Sequence, residues 1–431
     1  MNSFNKIIAP FGKSGNIYLL GAVAQGLSPL LLTPFLTRTI TKESFGQLTF
    51  LNSFSLIFSV LLSLGIPLVI SRSYVLEKKN TPILDKLINK YILLSLIFSF
   101  LLFLLYVFTN LTFLIFIATF FLYAIYQIGL PSLRARGFAN RFALYSVVNT
   151  FFGNLTVLLF INTTNNIYIL YYIGTLISSF IAYLLIYKKS NAKISLNFLL
   201  SCIKIGLPVV PHMLAMIALV NIDKVIFAIK SNDVNTGFLQ ILLLIGLSPI
   251  FIISALNHAW LNQVLEQLQD GRQEALKSIN KTVLNLFYLS FLFITLIFLL
   301  KDMLITFLNP YIEITSNVTG SIVIALASSF LYIIYLANTH ILTWKKKFWV
   351  LGITSPLAVI LQSLTIYLLI NEYNFISAAI AFGVALTTQV LLVEFYFKIK
   401  KYPKILDLKY KIFSLVFFWS CTFIFINIVN P

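Results

Sequence analysis

The chain has 431 residues, of which 59% are hydrophobic and only 10% are charged, and its mean hydropathy is +0.94. Soluble domains have about 25% charged residues, so this composition excludes a soluble enzyme, which would expose too much apolar surface to water. The charges are also unbalanced, with 31 Lys and Arg against 13 Asp and Glu. Nucleic acid is excluded as a partner, because a basic binding patch needs a folded, water-soluble face. The composition predicts an all-α polytopic membrane protein.

Apolar stretches long enough to cross a membrane as helices recur along the whole chain, since a span needs about 20 such residues. The predicted spans lie near 15–37, 47–70, 91–108, 111–131, 142–162, 168–187, 205–229, 236–258, 282–300, 317–341, 349–370, 375–397 and 411–429. The stretch 303–316 is too short, and too interrupted by Pro310, to span alone. The pattern predicts about 12 or 13 transmembrane helices, and 14 stays open as a third count.

The basic residues are concentrated in alternate connections between these spans. If the N-terminus lies in the cytoplasm, 26 of the 31 Lys and Arg fall in inner connections. The outer connections hold only Arg38, Lys42, Lys230 and Lys301, and Lys224 lies inside a span. Positive residues mark cytoplasmic loops, so we expect a multi-pass protein of the bacterial inner membrane with a cytoplasmic N-terminus.

The sequence carries signs of an internal repeat, which is common in transporter folds. Gly46 follows the first span and Gly237 follows the seventh, 191 residues later, and the same offset relates Gly15 to Gly206. Six spans separate the two copies, so both keep the same orientation. We therefore expect an N-terminal six-helix bundle over 1–190 and a C-terminal six-helix bundle over 191–400. Residues 401–431 form a basic linker and an extra span.

Span seven contains the polar groups that are placed most deeply in the membrane. Asp223 and Lys224 form the only adjacent pair of charges well inside a span, and Asn221 lies two residues earlier. A charge at the bilayer centre costs a few kcal/mol and normally faces a protein interior or an aqueous cavity. The pair either handles substrate or a coupling ion, or it serves as a local structural lock.

His212 and two arginines are further candidates. His212 follows Pro208 and Pro211, so it is either a proton-coupling group or a structural hydrogen-bond donor. Arg38 and Arg72 have guanidinium groups suited to phosphate oxygens, and each is otherwise a headgroup anchor. No Walker A loop, nucleophile elbow or metal-spaced Cys/His cluster occurs, so we expect no catalytic residue, no metal site and no cofactor.

Several segments taken in order resemble the polysaccharide or O-antigen flippases of the multidrug/oligosaccharidyl-lipid/polysaccharide (MOP) exporter superfamily. These segments are TRTITKESFGQL, SLGIPLVISRSY, IGLPVVPHML, NIDKVIF, NTGFLQI and LEQLQDGRQEALKSINK. The resemblance covers essentially the whole chain. It implies two six-helix bundles around a central cavity. In the family's pattern, Asp223 and Lys224 match the charged pair that ends span seven, and Gly46 and Gly237 match structural turns after a span.

The resemblance also implies a function and a set of partners. Such proteins flip undecaprenyl-diphosphate-linked oligosaccharide units across the inner membrane by alternating access, driven by Na⁺ or H⁺. Membrane lipids, a polysaccharide polymerase and the chain-length machinery are the other implied partners. A drug or organic-cation antiporter of the same fold is the alternative, although it would need more acidic groups than Asp223 alone. A glycan polymerase is disfavoured because the outer connections are short.

The charge pattern makes a testable prediction about topology. Reporter proteins fused after Lys90 and after Lys189 should both report a cytoplasmic location, because both residues belong to basic inner connections. Alkaline phosphatase and green fluorescent protein fusions measure this directly. An external signal at either position would contradict the orientation.

Overall fold

The computed structural model describes residues 12–71, 73–74, 81–164, 166–257, 272–345, 347–402 and 408–429. Every regular element in these ranges is a helix. The chain forms two compact units that divide after Ile217. The helices of the first unit are α1 (Gly12–Thr39), α2 (Lys42–Ser63), α3 (Ile66–Ser71), α4 (Thr81–Thr109), α5 (Thr112–Ala135), α6 (Ala139–Phe160), α7 (Ile167–Ile186) and α8 (Leu196–Gly206).

The remaining helices belong to the second unit, except for the start of α9, which crosses the boundary. They are α9 (Val210–Lys230), α10 (Asp233–Gly246), α11 (Ser248–Asn257), α12 (Arg272–Leu308), α13 (Ser316–Trp344), α14 (Phe348–Tyr373), α15 (Phe375–Ile399) and α16 (Leu408–Val429). A short 3₁₀ helix, Leu207–Val209, joins α8 to α9. The helices α10 and α11 are bent by 56° at their junction.

Polar caps set several of the helix starts. The Thr41 side chain accepts the backbone N–H of Ser44, and the Asn232 side chain accepts that of Asn235. Such caps satisfy a backbone donor that the first helical turn leaves unpaired. Asn232 lies 191 residues after Thr41, and the starts of α2 and α10 have the same offset. The offset seen in the sequence therefore recurs in the helix boundaries.

The two units also share a packing pattern. In the first unit α5 packs against α2, α4 and α7, and α6 packs against α7. In the second unit α13 packs against α10, α12 and α15, and α14 packs against α15. These helices are the corresponding spans of each half, so the two-bundle repeat that the sequence predicts is confirmed. The helix α13 is buried along almost its whole length and forms the centre of its unit.

The number of spans agrees with the prediction from hydropathy. Within the described ranges, 11 helices are long and apolar enough to cross a membrane, or 12 if the bent pair α10–α11 counts as one span. The 28-residue helix α1 is also of spanning length. The chain is therefore a multi-pass membrane protein.

Several boundaries differ from those predicted, and span three, which was expected to begin near residue 91, begins at Thr81 in α4. Span seven was expected to begin near residue 205, but helical structure begins at Leu196, where Ser195 accepts the N–H of Phe198 at 3.2 Å. Hydropathy did not predict this helix, because the segment 188–204 is rich in polar and basic residues. Lys204 lies in its last turn. The first residues of 303–316 were expected to lie outside a span, yet α12 continues to Leu308.

The second span and the seventh are both interrupted, and their breaks touch. The helix α2 ends at Leu64 and Gly65, which both have positive φ angles, of 49° and 70°. A Cβ atom on Gly65 would overlap the carbonyl of Gly206, and one on Gly206 would lie 2.6 Å from the Leu64 oxygen. The backbones of α3 and α8 can approach this closely only because both residues lack a side chain.

This contact predicts an unequal effect of two glycine substitutions. Gly65→Ala should lower the free energy of unfolding by about 2–3 kcal/mol, because strain at positive φ, about 1–2 kcal/mol, adds to the clash with Gly206. Gly137→Ala is the matched control, since Gly137 has a φ of 77° and nothing lies near its Cβ position. Denaturant titration of the purified variants measures the difference. Equal losses would mean that the contact does not matter.

Candidate functional site

The pair predicted in span seven is buried within the second unit. The side chains of Asp223 and Lys224 are each 4% exposed. Asp223 Oδ1 accepts the backbone N–H of Lys224 at 2.9 Å and lies 3.4 Å from its Nζ. The Lys224 ammonium also donates to the carbonyl oxygen of Val220, one turn earlier on α9. The carboxylate and the ammonium thus neutralise each other where water is excluded.

A glutamine from α14 lies against the same turn of α9. Gln362 is fully buried, and its Nε2 donates to the carbonyl oxygen of Leu219 at 2.8 Å. A second contact joins the two helices, because the ammonium of Lys230 lies 3.9 Å from the centre of the Tyr367 ring. The polar side chains on both helices therefore fix α9 to α14 around the Asp223–Lys224 pair. Gln362 was not predicted from the sequence, where its only signal is an amide inside an apolar span.

The other predicted site residues do not all join this pair. Asn221 is half-buried near it on α9. His212 lies eleven residues before Asp223 and belongs to the first unit. Arg38 is exposed at the end of α1, where its Nη1 donates to the carbonyl oxygen of Pro34 at 2.8 Å. Arg72 lies outside the described residues.

The two glycines assigned to turns are the fifth residues of helices. Gly46 is buried in α2, and Gly237 is buried in α10. The turns that precede these helices end at the capping residues Thr41 and Asn232. The glycines therefore lie inside the helices, about one helical turn after the turns to which the sequence assigned them.

A second charged cluster, which was not predicted from the sequence, lies at one end of the first unit. The Asp85 carboxylate receives Arg136 Nη2 at 2.7 Å on one oxygen and Lys188 Nζ at 3.0 Å on the other. The hydroxyl of Tyr74 also donates to Asp85, and Arg136 Nη1 donates to the carbonyl oxygen of Ile186 at 2.6 Å. Asp85 and Arg136 are almost fully buried, whereas the Lys188 side chain is 52% exposed.

This cluster joins α4, α5 and α7 at their basic ends. Asn89 donates to the carbonyl oxygen of Lys188 at 2.7 Å, and Ser190 donates to that of Pro82 at 2.6 Å. Burial and the hydrogen bond to Asp85 raise the pKa of Tyr74, so its phenol keeps the proton that it donates. One sequence signal could have revealed the cluster, because Asp85 is the only acidic residue between positions 78 and 222.

A third pair involves the last helix. Lys411 Nζ lies 2.6 Å from Glu394 Oε1, which also accepts a hydrogen bond from Asn338 at 3.0 Å. Glu394 on α15 therefore has a basic partner at the start of α16. This pair fastens α16 to α15 and α13, and the Phe418 ring fills the space above Gly383 that a side chain would take.

Comparison with models of known families identifies the family of the protein. The model of a family described as "Polysaccharide biosynthesis protein" matches residues 11–261, more than half of the chain. The chain belongs to this family. A comparison with curated proteins gives no match.

Solved structures show that this member of the polysaccharide biosynthesis family has the fold of MATE transporters. An inward-facing multidrug resistance MATE transporter of the MOP superfamily has a TM-score of 0.66 and 15% identity, over 88% of this chain and 96% of that one. A MATE protein in complex with MaL6 has a TM-score of 0.63 and 16% identity, over 91% and 97%. The outward-facing conformation of a MATE transporter has a TM-score of 0.60 and 14% identity, over 90% and 95%. The resemblance to the MOP superfamily is confirmed, and the fold of the chain is the one seen in these transporters.

The Asp85 cluster makes a prediction about stability in this family member. Asp85→Asn should lower the free energy of unfolding by about 3 kcal/mol, because it leaves the buried Arg136 without its counter-charge. Asp302→Asn is the matched control, since Asp302 is 55% exposed and its ion pair with Lys301 is on the surface, where such pairs contribute less than about 1 kcal/mol. Thermal and denaturant unfolding in detergent measure both.

A double variant distinguishes the ion pair from the hydrogen bonds around it. Asp85→Asn combined with Arg136→Gln should cost less than the sum of the two single losses, because neither charge is then left alone. Additive losses would show that the two groups act independently.

Proposed function

We propose that the protein is a flippase for lipid-linked oligosaccharides. It moves undecaprenyl-diphosphate-linked repeat units from the cytoplasmic to the outer leaflet of the bacterial inner membrane, for O-antigen, capsule or another surface polysaccharide. The observation that carries the proposal is the family match over residues 11–261. The translocated unit then passes to a polysaccharide polymerase and the chain-length machinery. The N-terminus lies in the cytoplasm, as the charge pattern indicates.

The charges of the interior fit an anionic substrate better than a cationic one. The two fully buried carboxylates among the described residues, Asp85 and Asp223, each have a basic partner. The Lys224 ammonium occupies the position beside Asp223 that an organic cation would need. The chain as a whole has a formal net charge of +18. This arrangement offers little attraction to an organic cation and none of the repulsion that a diphosphate would meet at free carboxylates.

The proposed roles follow from what the substrate requires. A diphosphate-linked sugar cannot enter hydrocarbon without groups that replace its water. In this mechanism Arg38 and Arg72 contact the diphosphate, and alternating access exposes it to each side in turn. Asp223, Lys224, His212 and Asn221 respond to the Na⁺ or H⁺ gradient. No cofactor takes part.

A drug exporter is the second candidate function. The solved structures that share this fold include multidrug resistance transporters, and nothing in their similarity separates the two substrate classes. A drug exporter would be recognised by its effect on toxin tolerance in cells whose glycans are unchanged.

The test is a deletion strain complemented with the gene. We expect deletion to leave lipid-linked repeat units in the inner leaflet and to remove the surface glycan, and the wild-type gene to restore it. Lectin labelling of intact cells and extraction of lipid-linked glycans measure the two outcomes. Unchanged glycan together with increased drug sensitivity would support the exporter instead.

Asp223→Asn tests the buried pair in the same strain. We expect at least tenfold less glycan export at an unchanged amount of inserted protein, because Lys224 loses its counter-charge at the coupling site. Glu372→Gln is the matched control, since Glu372 is exposed at the end of α14. The double variant Asp223→Asn with Lys224→Met removes both charges. If it exports normally, the pair is only structural and leaves the proposed site.

A further inference from the structure

A groove on the surface of the first unit lies between α4 and α7. It has a volume of about 560 Å³, and its walls are almost wholly apolar. The residues that line it include Leu96, Ile97, Phe100 and Leu101 of α4 and Ile177 and Phe180 of α7. Several of these side chains are about half exposed, so the groove opens toward the surrounding membrane.

The two helices carry lysines at one end of this groove. Lys90 precedes Ile97 by seven residues and Leu101 by eleven, so all three share one face of α4. Lys90 is exposed. On the other side, the half-exposed Lys188 and the exposed Lys189 follow α7. Lysines therefore lie beyond the same end of the groove on both of the helices that form its walls.

Within the part of the chain that the structure describes, the positive charge at this end is not balanced by a carboxylate. Asp85 is the only acidic residue between positions 78 and 222, and its carboxylate is occupied by Arg136 and Lys188. Across the described ranges, no carboxylate forms an ion pair with Lys90 or Lys189. An anion is therefore the complementary partner for these two ammonium groups.

The distance along α4 from Lys90 to the far end of the groove matches the thickness of hydrocarbon in one leaflet. Along α4, Ile97 lies about 10 Å and Leu101 about 16 Å beyond Lys90, at 1.5 Å per residue. One leaflet contributes about 15 Å of hydrocarbon. A headgroup held at Lys90 and Lys189 would place its chain along the apolar walls.

The volume of the groove is closer to that of one acyl chain than to that of a polyprenyl chain. If a methylene fills about the 30 Å³ that a water molecule takes in the liquid, the groove has room for about 19 methylenes. This is about the length of a single phospholipid acyl chain. An undecaprenyl chain, with eleven five-carbon units, is several times too large.

We propose that this groove binds an anionic phospholipid of the membrane. One acyl chain lies between α4 and α7, and the phosphate contacts Lys90 and Lys189. The lipid strengthens the contact of α4 with α7 at the end that the Asp85 cluster holds. The proposed lipid site does not depend on the transport substrate being a glycan.

The experiment measures lipid binding by the full chain. The protein is purified in mild detergent and titrated with dioleoyl-phosphatidylglycerol or dioleoyl-phosphatidylcholine, and native mass spectrometry counts the lipids that remain bound. We expect one phosphatidylglycerol to be retained at concentrations where phosphatidylcholine is not. The same lipid should raise the melting temperature.

Two variants localise the site. Lys90→Gln with Lys189→Gln should weaken phosphatidylglycerol binding by about 25-fold, since each surface lysine contributes about fivefold. Ile177→Trp should abolish retention by filling the groove. Lys398→Gln with Lys400→Gln is the matched control, because both residues are exposed at the end of α15, and it should bind as the wild type does.

The outcomes that overturn the proposal are distinct. Equal retention of both phospholipids would exclude recognition of charge. An unchanged affinity in both groove variants, each shown to be folded by its melting curve, would exclude this site. If the wild type retains a polyprenyl phosphate and the Ile177→Trp variant does not, the groove binds the lipid part of the substrate. A dimer lost in that variant would assign the groove to a second copy of the chain.

Discussion

A charge inside hydrocarbon is stable only if the protein supplies its counter-charge, and both units depend on this constraint. In the first unit Asp85 binds Arg136 and Lys188, which brings the ends of α4, α5 and α7 together. In the second unit Asp223 and Lys224 neutralise each other beside α14, and Glu394 with Lys411 fastens the last helix. Asp85 and Glu394 therefore join neighbouring helices, whereas Asp223 is paired within α9.

This use of the acids affects what the interior can recognise. When each buried carboxylate among the described residues has its own cation, none of them is free to attract an organic cation. Such an interior has little to attract an organic cation, and it is compatible with a diphosphate. Among the described residues, part of the excess of Lys and Arg is unpaired beside an apolar groove, and it is the basis of the proposed site for an anionic lipid. The proposed transport substrate and the proposed membrane lipid are both anions.

The sequence predicted the spans and the repeat well because both follow from local constraints. A helix must satisfy its own backbone in lipid, so hydropathy finds it, and the offset of 191 residues reappears in the caps of α2 and α10. The prediction was wrong at the start of span seven, where polar residues concealed α8. It was also wrong at the end of span nine, where α12 continues past 303. In both places helical structure extends beyond the most apolar segment, which hydropathy alone does not follow.

The sequence by itself determined that the protein is a helical membrane protein built from two equivalent halves, because composition and periodicity are properties of each segment alone. It also identified Asp223 and Lys224, since two adjacent charges stand out in an apolar span. Only the tertiary structure revealed Gln362 beside that pair, the Gly65–Gly206 contact, and the meeting of Asp85 with Arg136 and Lys188. These contacts join residues far apart in the chain, and the free energy that selects them comes from burying and pairing groups that no single segment contains.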